Sequence, residues 1–210
     1  MVSSVYHAIG ASRQIFIQAP TGVGKTMSTI FPAVRAVGEG KGETIFYLTA
    51  KTITRTVAQE AFEVLREKGM KYKVVTITAK EKLCFMDETK CDPVHCPYAR
   101  GHFDRVNDAV YELWTTKSRY DRETIREQAE KWQVCPFEMC LDLSVWVDAV
   151  ICDYNYVFDP TVHLKRFFGE GAGGDYIFLI DEAHNLAERG QGNVQQPCLA
   201  REDVWKSGSI

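Results

Sequence analysis

No segment of this 210-residue chain constrains its fold as tightly as residues 15–27, IFIQAPTGVGKTM. Ile15, Phe16 and Ile17 read as a short buried strand, and the residues from Lys25 onward resume as a helix. Between them runs Ala19-Pro20-Thr21-Gly22-Val23-Gly24-Lys25-Thr26. Glycines let successive backbone N–H groups converge on an anion, and the new helix adds the positive end of its dipole. Strand, glycine turn, Lys-Thr and helix together make a phosphate cradle, so every residue from Ala19 to Thr26 is a candidate nucleotide-binding position. Lys25 can reach the terminal phosphates, and the Thr26 hydroxyl can ligate magnesium. Ala19 departs from the strict G-x-x-x-x-G-K-[ST] form, which opens on glycine.

The rest of the chain alternates around this loop. Residues 1–11 carry Val2, Val5 and Ile9 at helical spacing, and residues 28–37 continue the helix after the loop, with a kink expected at Pro32. Thr44–Leu48 reads as a second strand. Residues 53–68 follow as a helix burying Val57, Ala61, Val64 and Leu65, with Gly69 as its C′ cap. Residues 73–77 make a third strand. The order β-α-β-α-β implies an α/β fold with a parallel sheet flanked by helices. Alternation then stops for a cysteine-rich stretch with two charged helices, near 99–116 and 121–133, whose apolar content is thin for a core. Residues 135–148 read as a helix started by Pro136, Ala149–Cys152 as a strand, and 169–174 as a glycine-rich turn. Tyr176–Ile180, YIFLI, has the uniformly apolar look of a central strand, and the tail from Arg189 carries no clear element.

Asp181 and Glu182 end that apolar strand. In a chain with an upstream phosphate loop, one such carboxylate can hold magnesium through water while its neighbour polarises an attacking water. Net charge is −3, so any nucleic-acid contact must come from a local surface. No run of 18 apolar residues and no signal-peptide pattern occurs, and a cytoplasmic protein without a membrane is expected. Seven cysteines are many for such a compartment, and metal ligands or core residues are more expected there than disulfides. Five of them, Cys84, Cys91, Cys96, Cys135 and Cys140, fall in one segment. Cys91, Cys96, Cys135 and Cys140 form a C-x4-C…C-x4-C arrangement able to hold zinc.

A-P-T-G-V-G-K-T with D-E-A-H resembles the first motor domain of superfamily 2 helicases. Lys82-Leu83-Cys84, Cys135-Pro136-Phe137 and AVICDYNYVFDP (149–160) are similar to stretches of the XPD/DinG family of iron–sulfur helicases. The resemblance runs from Ile15 to about Leu186. It implies a RecA-like domain over 1–79 and 149–210, interrupted by an iron–sulfur insert over 80–148. It also implies an ATP- and magnesium-dependent 5′→3′ DNA helicase working on single-stranded DNA as a monomer. Lys25, Asp181, Glu182 and His184 would be catalytic, with Asp181 and Thr26 on magnesium and His184 coupling the nucleotide state to the motor. A [4Fe–4S] cluster would be held by Cys84, Cys91, Cys96 and Cys135, spaced C-x6-C-x4-C-x38-C. Cys152 and Cys198 would be structural.

Thr49, Lys51 and Thr52 match the family's backbone-contacting element, and Tyr154 would lie near the DNA path. Lys80, Lys82, Lys90, Arg100, Arg105, Lys117, Arg119 and Arg122, with Tyr98, Phe103 and Tyr120, could serve phosphates and bases. The second RecA-like domain and its arginine finger do not appear before Ile210, so the fragment is expected to bind nucleotide weakly and to hydrolyse little. A metal-stapled nucleotide- or DNA-binding module without motor activity is the competing reading, and a signalling NTPase is disfavoured by the D-E-A-H box.

Overall fold

The computed structural model describes residues 1–20 and 22–186. Thr21, Cys198 and the tail from Arg189 lie outside the described residues. Five strands form one sheet in the order β3-β2-β4-β1-β5, from β1 (Thr44–Leu48), β2 (Val74–Thr76), β3 (Arg119–Tyr120), β4 (Ala149–Cys152) and β5 (Tyr176–Ile180). The pairs β1–β5 and β2–β3 run parallel. The chain divides into two compact units, 1–70 with 151 onward, and 71–150. Among the described residues no helix is long and apolar enough to cross a membrane.

In the first unit, α1 (Val2–Gly10) packs on α2 (Lys25–Gly38), and α2 on α3 (Thr52–Glu67). Pro32 sits inside α2, buried with Ile30, Ala33 and Val34. Ile45, Phe46 and Leu48 are wholly buried, as an uninterrupted apolar strand in a parallel sheet should be. Phe46 lies against the rings of Phe167, Phe168, Tyr176 and Phe178 at 5.0–5.4 Å between centroids. Helix α3 ends in a Schellman motif. The Met70 N–H bonds the Leu65 carbonyl at 3.2 Å, and the N–H of Gly69, at φ +94°, bonds that of Arg66 at 2.9 Å.

Three sequence expectations fail in this unit. Residues 15–17 form no strand, and Phe16 is 86% exposed. The uniformly apolar β5, which reads as central, lies at the edge of the sheet formed by the described residues and pairs there with β1. Residues 12–19 instead line one side of an open groove whose other side is β5. Helix α3 buries Ala58, Ala61, Phe62 and Leu65 and leaves Val57 and Val64 exposed. Its contact face is turned about one residue from the periodicity reading, because Phe62 provides more area to bury than either valine.

The second unit has a better core than its composition suggests. After the short α4 (Lys80–Leu83), the helices α5 (His102–Thr116), α6 (Arg122–Trp132) and α7 (Pro136–Ser144) pack pairwise and bury Val106, Ala109, Leu113, Ile125, Ala129, Met139 and Leu143. Phe103, one of the rings expected to be able to serve bases, is 85% exposed. Asp121 caps α6 by accepting from the Thr124 N–H at 3.0 Å, and Pro136 occupies the first turn of α7. Glu112 on α5 accepts from Gln128, Lys131 and Trp132 of α6 at 2.9, 2.5 and 2.6 Å. Those bonds hold its carboxyl down at about 2. The two-residue β3, which no sequence signal marked, pairs with β2 through Val74↔Arg119 and Val75↔Tyr120.

Candidate nucleotide site and cysteine recess

The phosphate loop places Gly22 and Gly24 at φ +85° and +73°. A Cβ at either position would meet no atom within 4 Å, so it is backbone conformation and not space that requires glycine there. Gly24 is the N-cap of α2, which directs the first-turn N–H groups toward the loop. Lys25 Nζ donates to the Ala19 carbonyl at 3.3 Å, folding the loop onto its own lysine.

Parallel pairing of β1 with β5, with Leu48 opposite Ile180, carries Asp181 and Glu182 to the end of the sheet where the Thr49-Ala50-Lys51-Thr52 segment begins. Asp181 is fixed through its backbone. Its N–H donates to the Leu48 carbonyl at 3.0 Å, and its carbonyl accepts from the buried Tyr154 hydroxyl. Burial, reinforced by the adjacent Glu182 charge, pushes the Asp181 carboxyl up, while Lys25 opposes this. The Tyr47 hydroxyl is pushed up by burial first and then by the Asp181 charge, with the Thr26 side chain opposing. Tyr47 thereby lines the same groove as the two residues expected to hold magnesium. The only hint of it in the sequence is a hydroxyl-bearing ring in an otherwise apolar strand.

Glu182 adopts φ +52°, in the left-handed region a glutamate rarely occupies. Its carboxylate stands 3.4 Å from Lys51 Nζ and 3.5 Å from His184 Nε2. The Lys51 hydrogen bond and charge hold it below its ordinary value. Thr49 and Tyr154, expected on the DNA path, are 1% and 2% exposed. Their side chains face inward, because one ends a buried strand and the other supports Asp181. Lys51 and Thr52 are exposed. Arg55 and Asp153 pair at 3.5 Å between α3 and the end of β4.

In the second unit, Cys84, Cys91, Cys96 and Cys135 line a single recess together with Lys80, Phe85, Tyr98 and Phe137. Cys140 is wholly buried outside it, with its thiol pushed up to about 12 by burial. Among the described residues no three His, Cys, Asp or Glu side chains converge on one metal-ion position. Cys135 caps α7, and the Phe137 and Glu138 N–H groups approach its sulfur, although burial raises its thiol overall. Lys80 lines the same recess, and its ammonium is held above its ordinary value chiefly by the neighbouring Cys91. It therefore faces the thiols and not a phosphate path. Arg126 of α6 donates to the carbonyls of Leu83 and Cys84 at 2.6 and 3.2 Å, with its guanidinium 4.4 Å from the Phe85 ring. Phe85 in turn packs on Tyr98 at 4.6 Å. Sequence reasoning gave Arg126 no role, since an arginine on a charged helix carries no local signal.

Several other candidate cations are engaged within the unit. Arg100 and Arg105 donate to backbone carbonyls, Lys90 pairs with Glu88, Arg119 pairs with Asp121, and Tyr120 is buried.

Residues 65–196 match the DEAD_2 family, and residues 3–98 match the DEAD/DEAH box helicase family. The Fanconi anemia group J protein homolog of Gallus gallus is 30% identical over 94 residues, 44% of this chain and 7% of that protein. The probable ATP-dependent helicase MJ0942 of Methanocaldococcus jannaschii is 22% identical over 189 residues, 89% of this chain and 27% of that protein. Among solved structures, a truncated XPD superposes with a TM-score of 0.63 at 17% identity, over 91% of this chain and 54% of that one. A second, an XPD helicase, gives 0.61 at 17% identity, over 90% and 32%. The matched regions thus span under a third of the two curated relatives.

Proposed function

The chain belongs to the DEAD_2 family of XPD/DinG-like superfamily 2 helicases, and we propose that it supplies the ATP-binding, cluster-bearing part of a motor moving 5′→3′ along single-stranded DNA. The observation that carries this is the meeting of Lys25, Thr26, Asp181 and Glu182 at one end of the paired strands β1 and β5. Lys25 exchanges the Ala19 carbonyl for the terminal phosphates. Thr26 and Asp181 would hold magnesium, beside the buried Tyr47. Glu182 orients the attacking water, and His184 links its carboxylate to the rest of the motor. Lys51 and Thr52 meet the DNA backbone, while Thr49 and Tyr154 support them from inside. An arginine finger is worth about 10³–10⁵ in phosphoryl transfer. In motors of this family that residue belongs to the second RecA-like domain.

The segment 80–148 is proposed as the cluster insert. Four cysteines line one recess without converging on a single ion position. Cys140, which the zinc arrangement needs, is wholly buried and does not line that recess. Cys84, Cys91, Cys96 and Cys135 would hold a [4Fe–4S] cluster, whose four bonds would cross-link the insert. Lys80 balances the thiolate charge. Anaerobic purification with metal and sulfide analysis tests the assignment, beside binding of a fluorescent ATP analogue to wild type and Lys25→Ala. A brown protein with about four irons and Lys25-dependent nucleotide binding supports it. A colourless protein with one zinc overturns the cluster, and nucleotide binding indifferent to Lys25 overturns the site.

A further inference from the structure

We propose that Lys51 exchanges between the Glu182 carboxylate and a phosphate of bound single-stranded nucleic acid, so that strand binding releases the glutamate. This rests on the reading of residues 49–52 as a strand-contacting segment and of Glu182 as the residue that orients water. The pair joins positions 131 residues apart, and it exists because β1 and β5 run parallel in register and end together. Its geometry suits exchange. The contact is long at 3.4 Å, the lysine side chain is 63% exposed, and the glutamate side chain is one-third exposed. Either partner can leave without stranding a buried charge.

A nucleic-acid phosphate carries a full charge and several acceptor oxygens, and it is met at the same place by Thr52 in the first turn of α3. It competes with a single carboxylate held at 3.4 Å. With Lys51 engaged in this way, the ion pair that the Glu182 carboxylate keeps among the described residues is the one with His184, at 3.5 Å. A side chain held in a left-handed backbone conformation is then free to turn toward water at the nucleotide. One lysine would report strand occupancy to the hydrolytic residue across two neighbouring strand ends.

The test is a double-mutant cycle on binding, which needs no turnover. Fluorescence anisotropy with a labelled oligo-dT at low salt compares the wild-type chain, Lys51→Ala, Glu182→Gln and the double variant. Glu182→Gln is expected to tighten binding about two- to five-fold, the range for an exposed pair. Lys51→Ala is expected to weaken binding and to lower the salt slope by about one. In the Lys51→Ala background, Glu182→Gln is expected to have no effect beyond error. Tightening that persists undiminished without Lys51, or no tightening in its presence, overturns the exchange. A wild-type chain that fails to bind oligo-dT overturns the nucleic-acid reading and this inference with it.

Discussion

If the proposed cluster is present, Arg126→Ala should release it without unfolding the surrounding unit. Arg126 gives two hydrogen bonds to the carbonyls on either side of the Leu83–Cys84 peptide and stacks on Phe85. A bond from a charged donor is worth about 1.5–3 kcal/mol, and a partly exposed cation–π contact about 0.5–1 kcal/mol. The two bonds share one guanidinium and are not additive, so the whole clamp holds the Cys84 loop closed by about 2–4 kcal/mol. If iron leaves through opening of that loop, its loss accelerates about thirty-fold to a thousand-fold. Arg126→Lys keeps the charge and one donor but loses the planar fork, and should fall between, at about ten-fold. The assay follows decay of the visible cluster absorbance under an iron chelator, with far-UV circular dichroism as the folding control. If Arg126→Ala loads iron and releases it no faster than wild type, the clamp argument fails. If wild type never loads iron, the cluster reading fails instead.

The remaining predictions concern other parts of the molecule. Phe46→Ala, at a wholly buried ring with four aromatic neighbours, should cost about 3–5 kcal/mol in urea denaturation; a loss under 1 kcal/mol would show the ring cluster to be loosely packed. Glu112 is held at about 2, against an ordinary 4.5, by its three α6 donors. A depressed carboxyl contributes stability that is fully present above its unfolded value and lost as pH falls toward the folded one. The melting-temperature gap between wild type and Glu112→Gln should therefore narrow from about pH 6 to pH 3. Cys140→Ser should retain iron, because Cys140 lies outside the recess, whereas Cys84→Ser should lose it; the reverse result points to zinc. Lys25→Ala should weaken ATP binding about ten- to hundred-fold, the worth of one charge-assisted bond, and Asp181→Asn should remove its magnesium dependence.

Much of the candidate site was legible because it is local. The phosphate loop needs glycines at positive φ next to a helix start, and Gly22, Gly24 and Lys25 state that within four letters. The cysteine spacing alone offered Cys140 as readily as Cys84; it was the family resemblance that singled out Cys84, Cys91, Cys96 and Cys135, the four that line one recess. Tyr47, Lys80, Tyr154 and Arg126 were not legible in those roles. Each acts on a residue from another element, and nothing in its own neighbourhood distinguishes it from an ordinary strand or helix residue.

The sequence by itself determined most of the longer helices and strands. Thr44–Leu48, Ala149–Cys152 and Tyr176–Ile180 carry enough consecutive apolar area to specify a buried strand from within. Tertiary structure decided their neighbours. It put the apolar β5 at an edge, left residues 15–17 outside the sheet, added β3 from the insert and turned α3 to bury Phe62. It also brought Lys51 to Glu182. A strand's propensity is written in its own side chains, but its place in a sheet is a competition among all strands for the same backbone donors and acceptors.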